Sequence, residues 1–413
     1  SGGVPSETSP ASGGGTETNQ GKGDLNTALA GWEEDDDDVG EEIDDTPDDD
    51  KDGDEGSDEG GKTRPSLEEV EAARYIRRVC INKEMGAPVC PQLFVLGCKK
   101  CGTTTMWKYL SFHEDFVAPK FEDGSGYIKE VAYFLLKQKG DLAENAVEKY
   151  VKIFPTRERQ GQFSMDATPT YMTSFRASKM MTGTGIAPTG SSARFMMVLR
   201  NPVDRAYSDL EWYHRRGEFN ESTTFGAAID YCLPILRTCR EEANVARAKL
   251  KQPDWRFLPA FYCKWKYRSK LYPVSGSPYP CDIFLRGLYA DQLQRWVMEG
   301  YNVKEEFCVF ETEKFVHNPR RAFETGNAGK KCLEPAGVDL EKLEPSTDSG
   351  NAHAYAKVDV HFPNARGRLM AQLYSEGNKD FDTILSDSFG MSEEEIAPFK
   401  PFSRSLEGAG NAT

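Results

Sequence analysis

The 413-residue chain carries 66 acidic and 51 basic side chains, a formal net charge of −15, and its length fits one large domain or two ordinary ones. The acidity is local: residues 1–65 hold 21 acidic against 4 basic side chains, a net of −17, so residues 66–413 carry +2. No run of about 18 apolar residues occurs, so no segment of this sequence is built to span a bilayer.

Residues 33–59 contain 18 carboxylates and one lysine. Such a stretch has too little apolar surface to offset its chain entropy, and residues 1–65 are predicted to be disordered. A solvated spacer is the simpler reading, and an acidic tail for a basic partner is the alternative. No charged-plus-apolar leader opens the chain, and Ser1-Gly2-Gly3 reads as a trimmed end. The expectation is a stem whose membrane anchor, if it had one, has been removed.

Folded sequence is expected from Ser66, where Leu67 to Glu71 starts a helical pattern, to about 405, with a flexible 406–413 end. Leu93-Phe94-Val95-Leu96 before Gly97 has the profile of a buried parallel strand, and Thr105 to Phe112 reads as the next helix. Phe195 to Leu199 is a second buried strand, followed by a helix over 203–215. A third strand is placed at Glu306 to Phe310, and helices at 289–299 and 366–386. Strands alternating with helices predict an α/β fold, a P-loop-NTPase-like parallel sheet flanked by helices.

Residues 217–285 break this rhythm and read as a loop-rich insertion. Within 247–270, eight basic residues face one acid, Asp254, and Trp255, Phe257, Phe261, Tyr262, Trp265 and Tyr267 interleave with them. Two readings stand level: a surface for a polyanion or sugar, or the core of an insertion with its charges in water. Of the ten cysteines, Cys232/Cys239 and Cys263/Cys281 are the best disulfide candidates, and Cys308 is placed as a core thiol. The sequons at Asn220 and Asn411 add slightly to a secretory reading.

The strongest local signal is Gly97-Cys98-Lys99-Lys100-Cys101-Gly102-Thr103-Thr104, between a strand and a helix. Inward-facing loop amides and a helix N-terminus make an anion site. The spacing Gly97-x4-Gly102 matches the start of a Walker A loop, but Thr103-Thr104 replaces Lys-Ser/Thr and the lysine sits inside the loop, at Lys100. No acidic residue directly follows an apolar strand in Walker B fashion on this reading. Cys98-x2-Cys101 lacks a matching second pair, so zinc is rejected and Cys101 is read as a small loop filler. An ordinary glycine turn is the bland alternative.

These residues resemble the PAPS-dependent sulfotransferases, PAPS being 3′-phosphoadenosine 5′-phosphosulfate. Gly97 to Thr104 is similar to their Gly-x-x-Lys-x-Gly-Thr-Thr loop, and Leu199 to Ser208 to their Arg-Asn/Asp-Pro-x-x-Arg-x-x-Ser segment. Lys129-Glu130-Val131-Ala132-Tyr133-Phe134 resembles the Lys-Glu-x-His-x-Phe segment of glycosaminoglycan enzymes, with Ala132 in place of the His. Asp166 to Tyr171, Gly287 to Leu293 with Trp296, and 369–385 with Tyr374 and Asn378 are also similar to theirs. The resemblance covers roughly 88–390. The Lys-Cys-Gly-Thr-Thr form and the long insertion are most similar to the Golgi carbohydrate branch, of chondroitin/dermatan type.

The resemblance implies sulfuryl transfer from PAPS, without a metal, to a hydroxyl or amine of a carbohydrate. Amides and side chains from Lys100, Cys101, Gly102, Thr103 and Thr104 hold the 5′-phosphosulfate, and Arg200 and Ser208 the 3′-phosphate. Lys100 stabilises charge on the bridging oxygen, and Glu130 is general base, with Lys129 guiding the sulfate. The basic loop that closes over the cofactor in relatives is not evident near 345–365, where His353, Lys357 and His361 are candidates left outside the site. A Golgi-lumenal ectodomain with no nucleic-acid partner is expected. The rivals are a small-alcohol sulfotransferase, a P-loop kinase, which needs the lysine that Thr103 replaces, and a non-catalytic PAPS- or polyanion-binding module.

Overall fold

The computed structural model describes residues 79–80, 84–121, 126–135, 150–175, 177–178, 181, 193–219, 224–271, 279–325, 328–343 and 363–402. The acidic tail, the Leu67–Glu71 segment, both sequons, the 406–413 end and His353, Lys357 and His361 lie outside these.

Four parallel strands form the central sheet in the order β2-β1-β3-β4. They are β1 Pro91–Gly97, β2 Ser164–Asp166, β3 Arg194–Leu199 and β4 Phe307–Glu311. β1 and β3 are apolar along almost their whole length because helices cover both faces of such a sheet. The register aligns Phe94 with Phe195 and Phe195 with Phe307. Their rings form a row, with centroids 5.6 and 4.6 Å apart. The predicted α/β architecture is therefore present. β2 was not predicted as a strand: three residues are too few to show a period.

Helix α1, Thr103–Ser111, follows β1, and α2, Pro202–Arg215, follows β3. Asn201 caps α2, its side chain accepting from the amides of Val203 (3.1 Å) and Asp204 (3.4 Å), and Pro202 takes the first helical position. The Asn-Pro pair thus has a local reason of its own.

The 217–285 region is helical rather than loop-rich. α3, Phe225–Arg247, absorbs Pro234 within its length, and α4, Pro259–Lys266, packs on it. Disulfides Cys232–Cys281 and Cys239–Cys263 staple the region. Cys232 and Cys239 stand two turns apart on one helix, about 10.5 Å along its axis, beyond the reach of a mutual bridge. Each therefore pairs with a cysteine from another segment. Cys308 is buried but is not a thiol: it pairs with Cys332, and the remaining bridges are Cys80–Cys90 and Cys98–Cys101. All ten cysteines are paired.

α5, Tyr289–Met298, and α6, Thr312–His317, flank β4 in sequence, and α7 is Pro363–Leu369. The expected closing helix over 366–386 is interrupted. After α7 the chain makes a wide turn, Met370–Tyr374, and breaks at Asn378. There the Asn378 side chain accepts from the amide of Ala290 (3.1 Å) and donates to the carbonyl of Gly287 (2.9 Å). Any Cβ at Gly287 would lie 2.7 Å from the Tyr374 ring and 2.8 Å from Pro202 Cβ, so only glycine fits that crossing.

Candidate functional site

The carboxyl ends of all four strands carry polar groups, as open parallel sheets do where they bind ligands. β1 runs into the Cys98–Gly102 loop. At Gly97 a Cβ would sit 2.7 Å from the Pro169 carbonyl oxygen and 2.8 Å from Met172 Cβ, which explains the residue. The Cys98 amide donates to the Val198 carbonyl (2.8 Å), and the Cys98–Cys101 bridge closes the loop. Cys101 is thus a bonded loop closure rather than a mere filler. Lys100 and Gly102 adopt left-handed backbone, and no side chain caps α1. The first-turn amides of α1 and their positive potential face the loop side. The ammonium groups of Lys99 and Lys100 lie 3.7 and 5.9 Å from the centroid of the Trp212 ring, on α2.

Thr103 is buried and Thr104 half-buried at the start of α1. Lys129 Nζ donates to Thr104 Oγ1 and to Glu130 Oε1, both at 2.7 Å. The Lys129 side chain is 9% exposed and that of Glu130 32%. Glu130 is therefore the partner of Lys129, and the same lysine ties it to the Cys98–Gly102 loop and the start of α1.

Arg200, at the end of β3, is buried, its Nε 3.9 Å from Glu313 Oε1. Ser208 lies two turns along α2, also buried. The β1 and β3 ends are fastened together. The Thr312 hydroxyl shares its proton between the carbonyls of Cys101 (2.9 Å) and Leu199 (3.0 Å). The Tyr289 hydroxyl donates to the Arg200 carbonyl (2.8 Å) and lies 3.4 Å from Cys98 Sγ. Lys100, Cys101, Gly102, Thr103, Thr104 and Arg200 thus sit on two adjoining strand ends, and the Lys129 contact brings Glu130 to the first.

Sequence reasoning missed the end of β4. Its strand is Phe307–Glu311, one residue later than expected, and with either boundary Glu311 directly follows the apolar run Phe307 to Phe310. The expectation of no such acid is corrected. Glu311 is not open in Walker B fashion, however: its two oxygens accept the amides of Glu313 (3.1 Å) and Lys314 (2.9 Å) and cap α6. Burial, and the neighbouring Glu313, push its carboxyl up to about 8.

Most of the insertion's rings are packing. Phe261 and Tyr262 are buried, Trp255, Phe257 and Tyr267 half-buried, and Trp265 alone of the six is exposed. Two of the cations are held locally, Arg256 by Asp254 (2.7 Å) and Lys266 by Glu242 (3.0 Å). Among the described residues no cluster of three His, Cys, Asp or Glu is arranged to hold a metal. No described helix is long and apolar enough to cross a membrane.

No protein-family model matches the chain, and no curated protein matches it either. Among solved structures, the chain is similar to a sulfotransferase from Alicyclobacillus acidocaldarius, with 18% sequence identity and a TM-score of 0.43. The likeness covers 74% of this chain and 97% of that one.

Proposed function

We propose that the chain transfers a sulfuryl group from PAPS to a hydroxyl, or amine, of a carbohydrate acceptor and releases adenosine 3′,5′-bisphosphate. The observation that carries this reading is the fastening of the Lys100 loop to the Arg200 strand end through Thr312, with Glu130 tied to the same loop through Lys129. The donor set suits a nucleotide with phosphate at one end and phosphosulfate at the other. Loop amides, the start of α1, Lys100, Thr103 and Thr104 form one anion cradle, and Arg200 with Ser208 the second. Gly97 leaves no Cβ in the narrow approach of the loop to Pro169.

The donor supplies an electrophilic sulfur with a good leaving group. Lys100 stabilises the negative charge that develops on the bridging oxygen as the S–O bond breaks. Glu130 accepts the proton of the attacking hydroxyl from the opposite side. Lys129 holds the Glu130 carboxylate and supplies positive charge beside the group in transit. Thr103 at the Walker lysine position and the capping duty of Glu311 favour sulfuryl over metal-assisted phosphoryl transfer.

Exposed Trp265, beside Lys264, Arg268 and Lys270 in sequence, supports a sugar-bearing acceptor. Five disulfides support an oxidising compartment such as the Golgi lumen, as a stem-tethered ectodomain. The test is incubation with ³⁵S-labelled PAPS and a panel of glycans and small alcohols. Label on a glycan is the expected result. Label on small alcohols alone removes the carbohydrate, and absence of PAPS binding removes the whole reading.

A further inference from the structure

The segment 129–134 that carries Glu130 has no strand partner: only Tyr133–Leu135 make a short helical turn, and Ala132 takes a positive φ of 54°. Something else must hold such a backbone in place. What holds it is the end of β2. Asp166, the last residue of that strand, is fully buried. Its carboxylate accepts from the hydroxyls of Thr168 (2.6 Å), Tyr171 (2.9 Å) and Tyr150 (3.1 Å). It also accepts a backbone hydrogen bond from Val131.

Two of those hydroxyls pass the contact on to the same segment. Thr168 Oγ1 accepts the amide of Ala132 (3.0 Å), and the Tyr171 hydroxyl accepts that of Phe134 (3.4 Å). The Ala167 amide donates to the carbonyl of Lys129 (3.2 Å). Backbone groups of three of the six residues 129–134 are thereby fixed by one acid and its two relays, and that of a fourth, Lys129, by the neighbouring Ala167 amide. Each hydroxyl donates to Asp166 and accepts from the segment, so the pattern has a single direction and needs the carboxylate at its root.

We propose that Asp166 and Thr168 are positioning residues for Glu130: the carboxylate orients the Thr168 hydroxyl, which pins Ala132 and so fixes the carboxylate two residues earlier against Lys129 and the loop. This rests on the functional reading above. Thr168 touches no reacting atom in this scheme. It acts by keeping the base in register with the acceptor proton, where a displacement of about 1 Å costs on the order of a hundredfold in rate.

The experiment compares Thr168→Val, which keeps shape and loses the hydroxyl, with Thr168→Ser and Tyr171→Phe. Transfer kinetics, adenosine 3′,5′-bisphosphate affinity and amide hydrogen exchange over 129–135 are read on each. Expected for Thr168→Val is a kcat lowered about ten- to a hundredfold with nucleotide affinity unchanged and faster exchange at 131–134. Thr168→Ser restores most of both. Tyr171→Phe loosens exchange at Phe134, a readout that survives if the valine variant folds poorly. Unchanged kcat in a folded Thr168→Val, or equal losses in kcat and nucleotide affinity, or unchanged exchange, overturns the proposal. If the wild type transfers to no acceptor, the functional reading fails, while exchange alone still decides whether the clamp exists.

Discussion

Replacing Thr312 by Val tests the joint between the two proposed anion sites. Valine keeps the shape of threonine and removes only the hydroxyl, so no cavity opens. What is lost is one proton shared between the carbonyls of Cys101 (2.9 Å) and Leu199 (3.0 Å), both in the interior of the strand-end junction. Leaving a buried carbonyl without its donor costs about 1–3 kcal/mol. The Gly102 side of the loop lies against α6, where a Cβ would meet Val316 Cγ2 at 3.0 Å and Thr312 Cγ2 at 3.8 Å. The expected result is a lowered denaturant midpoint at unchanged slope, and adenosine 3′,5′-bisphosphate affinity weakened about tenfold, which corresponds to roughly 1.4 kcal/mol. Thr312→Ser keeps the hydroxyl and should stay within about 0.5 kcal/mol of wild type. Wild-type midpoint and affinity in Thr312→Val would refute the claim that this hydroxyl aligns the sites.

Glu130→Gln should lower kcat by about 10²–10⁴ while leaving nucleotide affinity in place, because it removes the proton acceptor and not the donor cradle; stopped-time transfer assays with titration calorimetry check both. Asp291 is buried, and its carboxyl is pushed up to about 7, against an ordinary 3.8, by that burial. The fold thus favours its neutral form, and the Asp291 contribution is fully present below pH 3.8 and lost as pH rises through 7. Asp166, raised to about 6, and Glu311, raised to about 8, act in the same direction. These three carboxyls should therefore lower the unfolding free energy from pH 5 to pH 8 by an amount on the order of a few kcal/mol, opposed by the buried His113 imidazole, which burial holds below its ordinary value, and Asp291→Asn should remove its share of the fall in denaturant titrations. Peptide mapping without reduction should recover Cys232 joined to Cys281 and Cys239 to Cys263, and no Cys232–Cys239 peptide. Replacing Cys232 and Cys281 together by Ser should cost about 2–5 kcal/mol, read as a lowered melting temperature.

The central sheet was legible because β1 and β3 are buried on both faces and so read as continuous apolar runs bounded by glycine or proline. The Cys98–Gly102 loop was legible for a related reason: Gly97 answers to a close approach of the Pro169 carbonyl and Gly102 to a left-handed backbone, and both leave a mark on the sequence. The 217–285 region was misread because its helix α3 carries a proline and two cysteines, residues that signal loops when counted. Yet their seven-residue spacing is helical, and the bridges they make run to partners 49 and 24 residues away. The break at Asn378 was invisible for a different reason. It is caused by the turn at Gly287–Ala290, some ninety residues earlier, and no local pattern encodes a hydrogen bond between them.

β4 ends on an acid whose role only its partners reveal. Glu311 directly follows the strand expected at 306–310 and closes β4 itself, at the strand end where a metal-assisted enzyme keeps an acid. Its oxygens are nevertheless spent on the amides of α6, and that cap fixes Thr312 at the first helical position, between the two loops. The acid that would have argued for phosphoryl transfer instead holds the residue that joins the Lys100 and Arg200 ends. Glu311→Gln should therefore disturb the joint more than any reaction step. Its effect should resemble that of Thr312→Val, with weakened nucleotide affinity and a lowered midpoint, and it should not confer or abolish dependence on magnesium. A transfer activity that requires magnesium and disappears in Glu311→Gln would mean that the carboxylate leaves its cap to bind metal, and the sulfuryl reading would give way to the phosphoryl one.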